Sequence, residues 1–366
     1  MKNAPWLPLL RAELDEQSAY LPESGNFRIH LDANEAPPLL SDKARARLAE
    51  VASQTAWERY PDPTAARLRE AIATYSGVTP SEVLVGVGSD ELITILLTAL
   101  GEAKGRSPRS VVTTTPSFVM YRMSSRLRGL PVLEVPLDAS WDIPEKSLLA
   151  ATQNTHPGIL FLASPNNPTG TLFSLHRLRS VIEAAPEWLV VIDEAYIDYA
   201  ELNQLELLRE YPNVVILRTL SKVGFASLRL GWLLGPSGLV RELDKVRLPY
   251  NINGLSQKLG QVVLTELAAE IRQTCECVRV ERTRLAQALA KIPGVSVTPS
   301  QANFIWFRTE VPAEKVFDSL KNQGVLVRSF HGRGGRLAHQ LRVTVGTPDE
   351  DLEFLDALGR ALSEAA

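Results

Sequence analysis

Lys222 is the residue of this chain best placed for unusual chemistry. It lies in Thr219-Leu220-Ser221-Lys222, inside a stretch (residues 219–228) with no other charged side chain. An apolar setting depresses an ammonium pKa and supplies the neutral amine that a Schiff-base lysine needs. Arg229 follows seven residues later, in Ser227-Leu228-Arg229-Leu230-Gly231-Trp232. Asp193, in Asp193-Glu194-Ala195-Tyr196, comes directly after the apolar run 189–192. A carboxylate beside a buried core needs a partner. A cationic ring nitrogen would supply one; capping of a following helix is the plainer use of the same residue.

Three further segments offer chemistry. Gly86-Val87-Gly88-Ser89-Asp90-Glu91 follows an apolar run and opens a helical pattern, so its glycines and the helix N-terminus could receive an anion. Ser164-Pro165-Asn166-Asn167-Pro168-Thr169-Gly170 stands at the end of another apolar run, the edge where α/β sheets bind ligands. Arg342 interrupts the apolar stretch Leu341-Arg342-Val343-Thr344-Val345 and needs an anion, either an internal carboxylate or a substrate. Together these segments hold an anion cup, a carboxylate for a ring nitrogen, a phenol, a lysine nucleophile and a substrate arginine. That is the set a pyridoxal phosphate enzyme requires.

Such residues need rigid strand ends to hold them. Apolar runs at 83–87, 110–114, 132–135, 158–163, 189–192, 214–217 and 230–234 alternate with helical patterns. Runs without polar alternation mark strands covered on both faces, and the alternation predicts an α/β fold with a mostly parallel sheet flanked by helices. After Gly254, Leu255, Leu259, Val262, Val263, Leu267, Ile271, Val278, Leu285 and Leu289 recur at helical spacing. They predict a long helix, with room for one break, that stops at Pro293-Gly294. A smaller α+β unit follows, with strands near 303–307, 325–327 and 341–345, a helix near 312–323 and a last helix from Pro348. The expected division is an N-terminal arm (1–40), a large domain (41–253), and the long helix with a small C-terminal domain (254–366).

Composition narrows the function. The 366 residues are 45% hydrophobic and 22% charged, with a net charge of −3, which gives no basic patch for nucleic acid or an anionic membrane. No apolar run is long enough to span a bilayer, and the N-terminus lacks a signal-peptide pattern. Cys275 and Cys277 point to opposite sides of a helix, and the five histidines show no ligand spacing, so neither a disulfide nor a metal is expected. A reducing cytoplasm is the expected compartment.

In order and over nearly the whole chain, the segments resemble the fold-type I pyridoxal phosphate-dependent aminotransferases, and within them the histidinol-phosphate aminotransferase branch. The closer resemblance rests on Leu31-Asp32-Ala33-Asn34-Glu35, Arg59-Tyr60-Pro61-Asp62, Pro249-Tyr250-Asn251-Ile252-Asn253 and the lysine and arginine segments above. It implies that Lys222 carries pyridoxal 5'-phosphate, that Asp193 faces the pyridine nitrogen, and that Tyr196 and Asn167 bond the phenolic oxygen. It further implies that Ser89, Asp90 and Glu91 cup the phosphate with backbone N–H groups, aided by Ser221 and Arg229, and that Phe118 stacks on the ring. Tyr60 would reach the cofactor phosphate of a neighbouring subunit, which implies a homodimer with shared active sites. Arg342, Arg328, Tyr20 and Asn34 would serve the substrates, histidinol phosphate and 2-oxoglutarate, in a step of histidine biosynthesis.

The sequence departs from that pattern in places. Phe118 stands where a tyrosine is expected, Ala36-Pro37 follows Glu35, and Ser227 replaces a common glycine. Two other activities share this framework: an aromatic amino-acid aminotransferase, and a decarboxylase of a phosphorylated amino acid such as threonine phosphate. A ligand-binding domain of an aminotransferase-like transcription regulator is a third, disfavoured by the charge and by the short stretch before Leu31.

Overall fold

The most apolar runs occupy the middle of the molecule. Ile159 to Ala163 is buried at every residue, as a strand covered on both faces must be. The computed structural model describes residues 5–15, 19, 23–38, 40–101 and 108–365. Along them the strands are β1 (Ile29–His30), β2 (Val83–Val87), β3 (Val111–Thr115), β4 (Val132–Pro136), β5 (Ile159–Ala163), β6 (Leu189–Asp193), β7 (Val214–Thr219), β8 (Leu230–Leu234), β9 (Val295–Thr298), β10 (Phe304–Thr309), β11 (Val325–Leu326), β12 (Arg328–Ser329) and β13 (Gln340–Thr344).

Seven of these form the large sheet in the order β2-β8-β7-β6-β5-β3-β4. Only β8 runs against its neighbours, β2 and β7; the remaining pairs are parallel. The C-terminal ends of β2, β3, β5, β6 and β7 therefore emerge at one edge, together with the start of β8. Several strands run beyond the expected bounds, and two of these extensions bear on the site. Asp193 pairs with Ala163, which carries β6 one residue further. Arg218 and Thr219 pair with Trp232 and Gly231, which carries β7 two residues further.

The C-terminal part holds a four-stranded antiparallel sheet in the order β12-β13-β10-β9. Phe307 of this sheet meets Phe354 of the last helix (Pro348–Ala365) at 6.2 Å. The expected long helix is two, Gly254–Thr265 and Ala268–Leu289, divided at Glu266, whose side chain reaches Arg47 at 2.8 Å. The expected strand near 325–327 is also two. β11 pairs with β1, which ties the N-terminal segment to this part of the chain, and β12 pairs with β13. The edge strand β9 is short and only partly buried, so its hydrophobic pattern is faint. Among the described residues no helix is long and apolar enough to cross a membrane.

Candidate active site

At the edge where the parallel strands end, β6 delivers Asp193, a carboxylate only 4% exposed. Its Oδ2 accepts a hydrogen bond from the Tyr121 hydroxyl at 2.6 Å, and its Oδ1 accepts from the Ala195 N–H at 3.0 Å. Loss of hydration pushes its pKa up to about 6, although both hydrogen bonds favour the ionised form. The adjacent Glu194 is as buried but has its own cation: Arg218 Nη2 stands 2.7 Å from its Oε2. Asp193, by contrast, is met by neutral donors and faces a cavity.

Lys222 reaches the same cavity from the connection between β7 and β8. Thr219 organises this connection. Its hydroxyl donates to the Leu230 carbonyl at 2.8 Å and accepts from the Ser221 N–H at 3.1 Å. The chain then kinks within Ser221–Phe225, where Val223 and Gly224 leave helical geometry and Gly224 takes φ 99°. The Tyr199 hydroxyl donates to the Lys222 carbonyl at 2.5 Å, and Lys222 Nζ donates to the Ala33 carbonyl at 3.3 Å.

A cradle for an anion lies beside the lysine. Helix Gly88–Leu100 starts directly after β2, and its first-turn amides lack intrahelical acceptors. Gly88 has φ 70°, and its N–H donates to the Arg229 carbonyl at 2.9 Å. Arg229 Nη1 donates to Ser221 Oγ at 3.2 Å, and Nη2 stands 3.5 Å from Asp90 Oδ2. The packing leaves no room for larger residues. A Cβ on Gly231 would lie 2.6 Å from the Gly88 carbonyl carbon. Ser89 and Asp90 line the cavity. Glu91 does not; its carboxylate accepts from the Val87 N–H at 2.6 Å and from Asn251 Nδ2 at 2.8 Å, bracing the turn from behind.

The opposite wall comes from the small sheet and the N-terminal segment. Asn34, buried and left-handed at φ 55°, donates through Nδ2 to the Tyr196 hydroxyl at 2.9 Å. Arg342 of β13 donates to Asn167 Oδ1 at 2.5 Å and to the Asp32 carbonyl. Arg328 lies directly across the β12–β13 pair from Arg342. Phe118 meets Tyr121 edge-on at 5.6 Å.

Most of the residues singled out from the sequence thus share one cavity: Asn34, Ser89, Asp90, Phe118, Asn167, Asp193, Tyr196, Ser221, Lys222, Arg229, Arg328 and Arg342. Tyr60 is elsewhere, 83% exposed and stacked on Tyr250 at 4.8 Å. Tyr20 lies outside the described residues. Tyr121, Phe330 and Arg333 also line the cavity and were not assigned a role from the sequence. Tyr121 carried a faint signal, since it sits one helical turn after Phe118 and so shares its face.

These residues fit pyridoxal phosphate on two counts. A buried carboxylate with only neutral donors gains from a cationic ring nitrogen. A helix N-terminus with Arg229 and Ser221 beside it suits a phosphate. The amine of Lys222 opens on the same cavity as both.

Comparison with known proteins agrees. The model of the aminotransferase class I and II family matches residues 28–358. The chain is 41% identical over 362 residues to histidinol-phosphate aminotransferase 2 of Nitrosococcus oceani, covering 97% of each. It is 40% identical over 357 residues to histidinol-phosphate aminotransferase 1 of Burkholderia lata, covering 97% of this chain and 98% of that one. The structure of histidinol-phosphate aminotransferase from Sinorhizobium meliloti, in complex with pyridoxal-5'-phosphate, has a TM-score of 0.83 at 24% identity, covering 93% of this chain and 92% of that one. At that identity the likeness speaks to the fold alone.

Proposed function

The chain belongs to the class I and II aminotransferases, and from that premise we propose that it transfers the amino group of L-histidinol phosphate to 2-oxoglutarate, a step of histidine biosynthesis, with pyridoxal phosphate as cofactor. The observation that carries this reading is the convergence of Lys222, Asp193 and the Arg229–Ser221 cradle on one cavity, in a chain 41% identical to a histidinol-phosphate aminotransferase over 97% of its length.

When bound, pyridoxal phosphate supplies an electron sink that makes the proton on the amine-bearing carbon of the substrate acidic. The chain's own residues do the rest. Lys222 Nζ would hold the cofactor, and its free amine would serve as the general base for the proton on that carbon. Asp193, positioned by Tyr121 and the Ala195 amide, would present its carboxylate to the ring nitrogen. The Tyr196 oxygen accepts from Asn34, so its own hydrogen is available to donate into the site. Asn167 and the Asp32 carbonyl aim the Arg342 guanidinium, whose fork suits either a carboxylate or a phosphate.

The proposal includes a homodimer in which Tyr60 completes the partner's site. Its support is an exposed aromatic surface: Trp57 is 71% exposed and Tyr60 83% exposed, and Tyr60 stacks on Tyr250. The Tyr250 segment is fastened to the phosphate cradle through Asn251 and Glu91.

The test is single-turnover spectroscopy of the cofactor-loaded protein with L-histidinol phosphate, L-glutamate, L-phenylalanine and L-threonine phosphate. Rapid change of the cofactor band with the first two, and far slower change with phenylalanine, is the expected result. Preference for phenylalanine would move the enzyme to aromatic amino-acid metabolism. Release of carbon dioxide from threonine phosphate without an oxo acid would make it a decarboxylase.

A further inference from the structure

Arg333 lines the active-site cavity on the same wall as Arg328 and Arg342, and nothing in the mechanism above uses it. It lies on the connection between β12 and β13. This connection is held at both ends. Before Arg333, Phe330 packs edge-on against Trp306 at 4.8 Å, and the His331 ring nitrogen Nδ1 stands 2.7 Å from Ser329 Oγ. After it, Gly334 and Gly335 take φ of 65° and 55° and turn the chain. Arg336 then lies 3.4 Å over the Trp141 ring and donates to the carbonyls of Leu137 at 2.9 Å and Asp138 at 3.0 Å. The small sheet's loop is thereby clamped to the segment that follows β4 of the large sheet, with Arg333 between the two anchors.

The charge around Arg333 is not balanced. Partial burial above all, then the nearby Arg122 and to a lesser degree Arg328, disfavour its cationic form, and together they outweigh the favourable contribution of Glu134. Glu134 is itself committed to Arg122, at 3.6 Å. Among the described residues neither Arg328 nor Arg333 has a side-chain hydrogen bond or ion pair. Arg328 also sits directly opposite Arg342 in the β12–β13 pair, so three guanidinium groups stand on this wall. One bidentate guanidinium engages both oxygens of a carboxylate, whereas a phosphomonoester dianion offers three oxygens and twice the charge. Further guanidinium groups on the same wall therefore reward phosphate more than carboxylate.

We infer that Arg333 is a specificity-determining residue that contacts the phosphate of the amine donor and biases the site toward a phosphomonoester dianion over a carboxylate. The inference rests on the reading of this cavity as the site of a phosphorylated amine donor. In the cofactor-loaded protein, Arg333→Gln should raise KM for L-histidinol phosphate about tenfold, the scale of one hydrogen bond to a charged group. The effect on kcat should be much smaller, and KM for L-glutamate should shift several-fold less than KM for histidinol phosphate. Arg333→Lys, which keeps the charge but not the fork, should recover part of the loss. Methyl phosphate, which has no amine, should competitively inhibit the glutamate half-reaction, with its Ki raised by Arg333→Gln in proportion. Equal losses for histidinol phosphate and glutamate, or a methyl phosphate Ki indifferent to the substitution, would overturn the inference. If the wild-type protein ignored histidinol phosphate while its methyl phosphate Ki still depended on Arg333, the donor assignment would fail and the phosphate contact would stand.

Discussion

The two walls of the cavity are built differently. On the large-sheet side, Asp193, Ser221 and Arg229 stand on strand ends or the connection between them, with polar groups engaged by near neighbours at hydrogen-bond distance. On the small-sheet side, guanidinium groups from β12, β13 and their connecting loop crowd together, two of them without a partner among the described residues. The first wall suits a ligand that never changes; its cost of ordering is met when the chain folds. The second suits ligands that come and go, because unbalanced charge is stabilised by whichever anion arrives. Under the proposed assignment, cofactor and substrate leave opposite electrostatic signatures.

Substitutions can break this contrast, beginning with the largest effect. Lys222→Ala should remove the covalent hold on the cofactor and the general base together, lowering turnover by about three orders of magnitude or more; spectra of the purified variant with its cofactor band and activity intact would refute the assignment. Asp193→Asn should lower turnover by about a hundredfold, and it carries a second signature without cofactor. The folded-state pKa of Asp193 is raised, to about 6. Its contribution to stability is therefore complete below the unfolded value near 3.8 and is lost as pH rises through about 6. Thermal unfolding of the cofactor-free proteins should show the wild type losing ground to Asp193→Asn between about pH 4 and pH 6. A constant difference across that range would place Asp193 in a solvated setting.

The substrate wall should respond more gently. Arg342→Lys should raise KM for both donors by about tenfold, since the fork held by Asn167 and Asp32 is lost. Unchanged kcat/KM for both would make Arg342 a purely structural residue. The smallest effect is expected from Tyr121→Phe, which deletes one donor to Asp193. That donor lowers the Asp193 pKa, so its removal should move the acid limb of the pH–rate profile upward; a shift downward would show that Tyr121 stabilises the protonated acid instead.

The large-sheet wall was the more legible from sequence, for a physical reason. Its residues stand at or just past the ends of apolar strands, so Asp193 at the end of β6 and Lys222 shortly after β7 are placed by local pattern alone. The Tyr121–Asp193 bond joins residues 72 apart and exists because β3 and β6 flank β5 in the sheet, an order that no local pattern encodes. Arg333 was hidden for a related reason. Its loop is polar and glycine-rich, like a solvated turn, and its position depends on Arg336 finding Trp141 nearly two hundred residues earlier. Strand β9 was missed because three partly buried residues and one exposed serine at a sheet edge carry little hydrophobic signal.

The reversed direction of β8 has a consequence for assembly. Because β7 and β8 form a hairpin, Lys222 and Arg229 share one closed loop, shut by the Leu220 N–H on the Leu230 carbonyl at 3.0 Å. Closing so short a loop costs little chain entropy. Lys222 and Arg229, the two residues proposed to anchor the cofactor, are therefore brought together by one local closure, whereas the proposed substrate wall depends on contacts between distant parts of the chain.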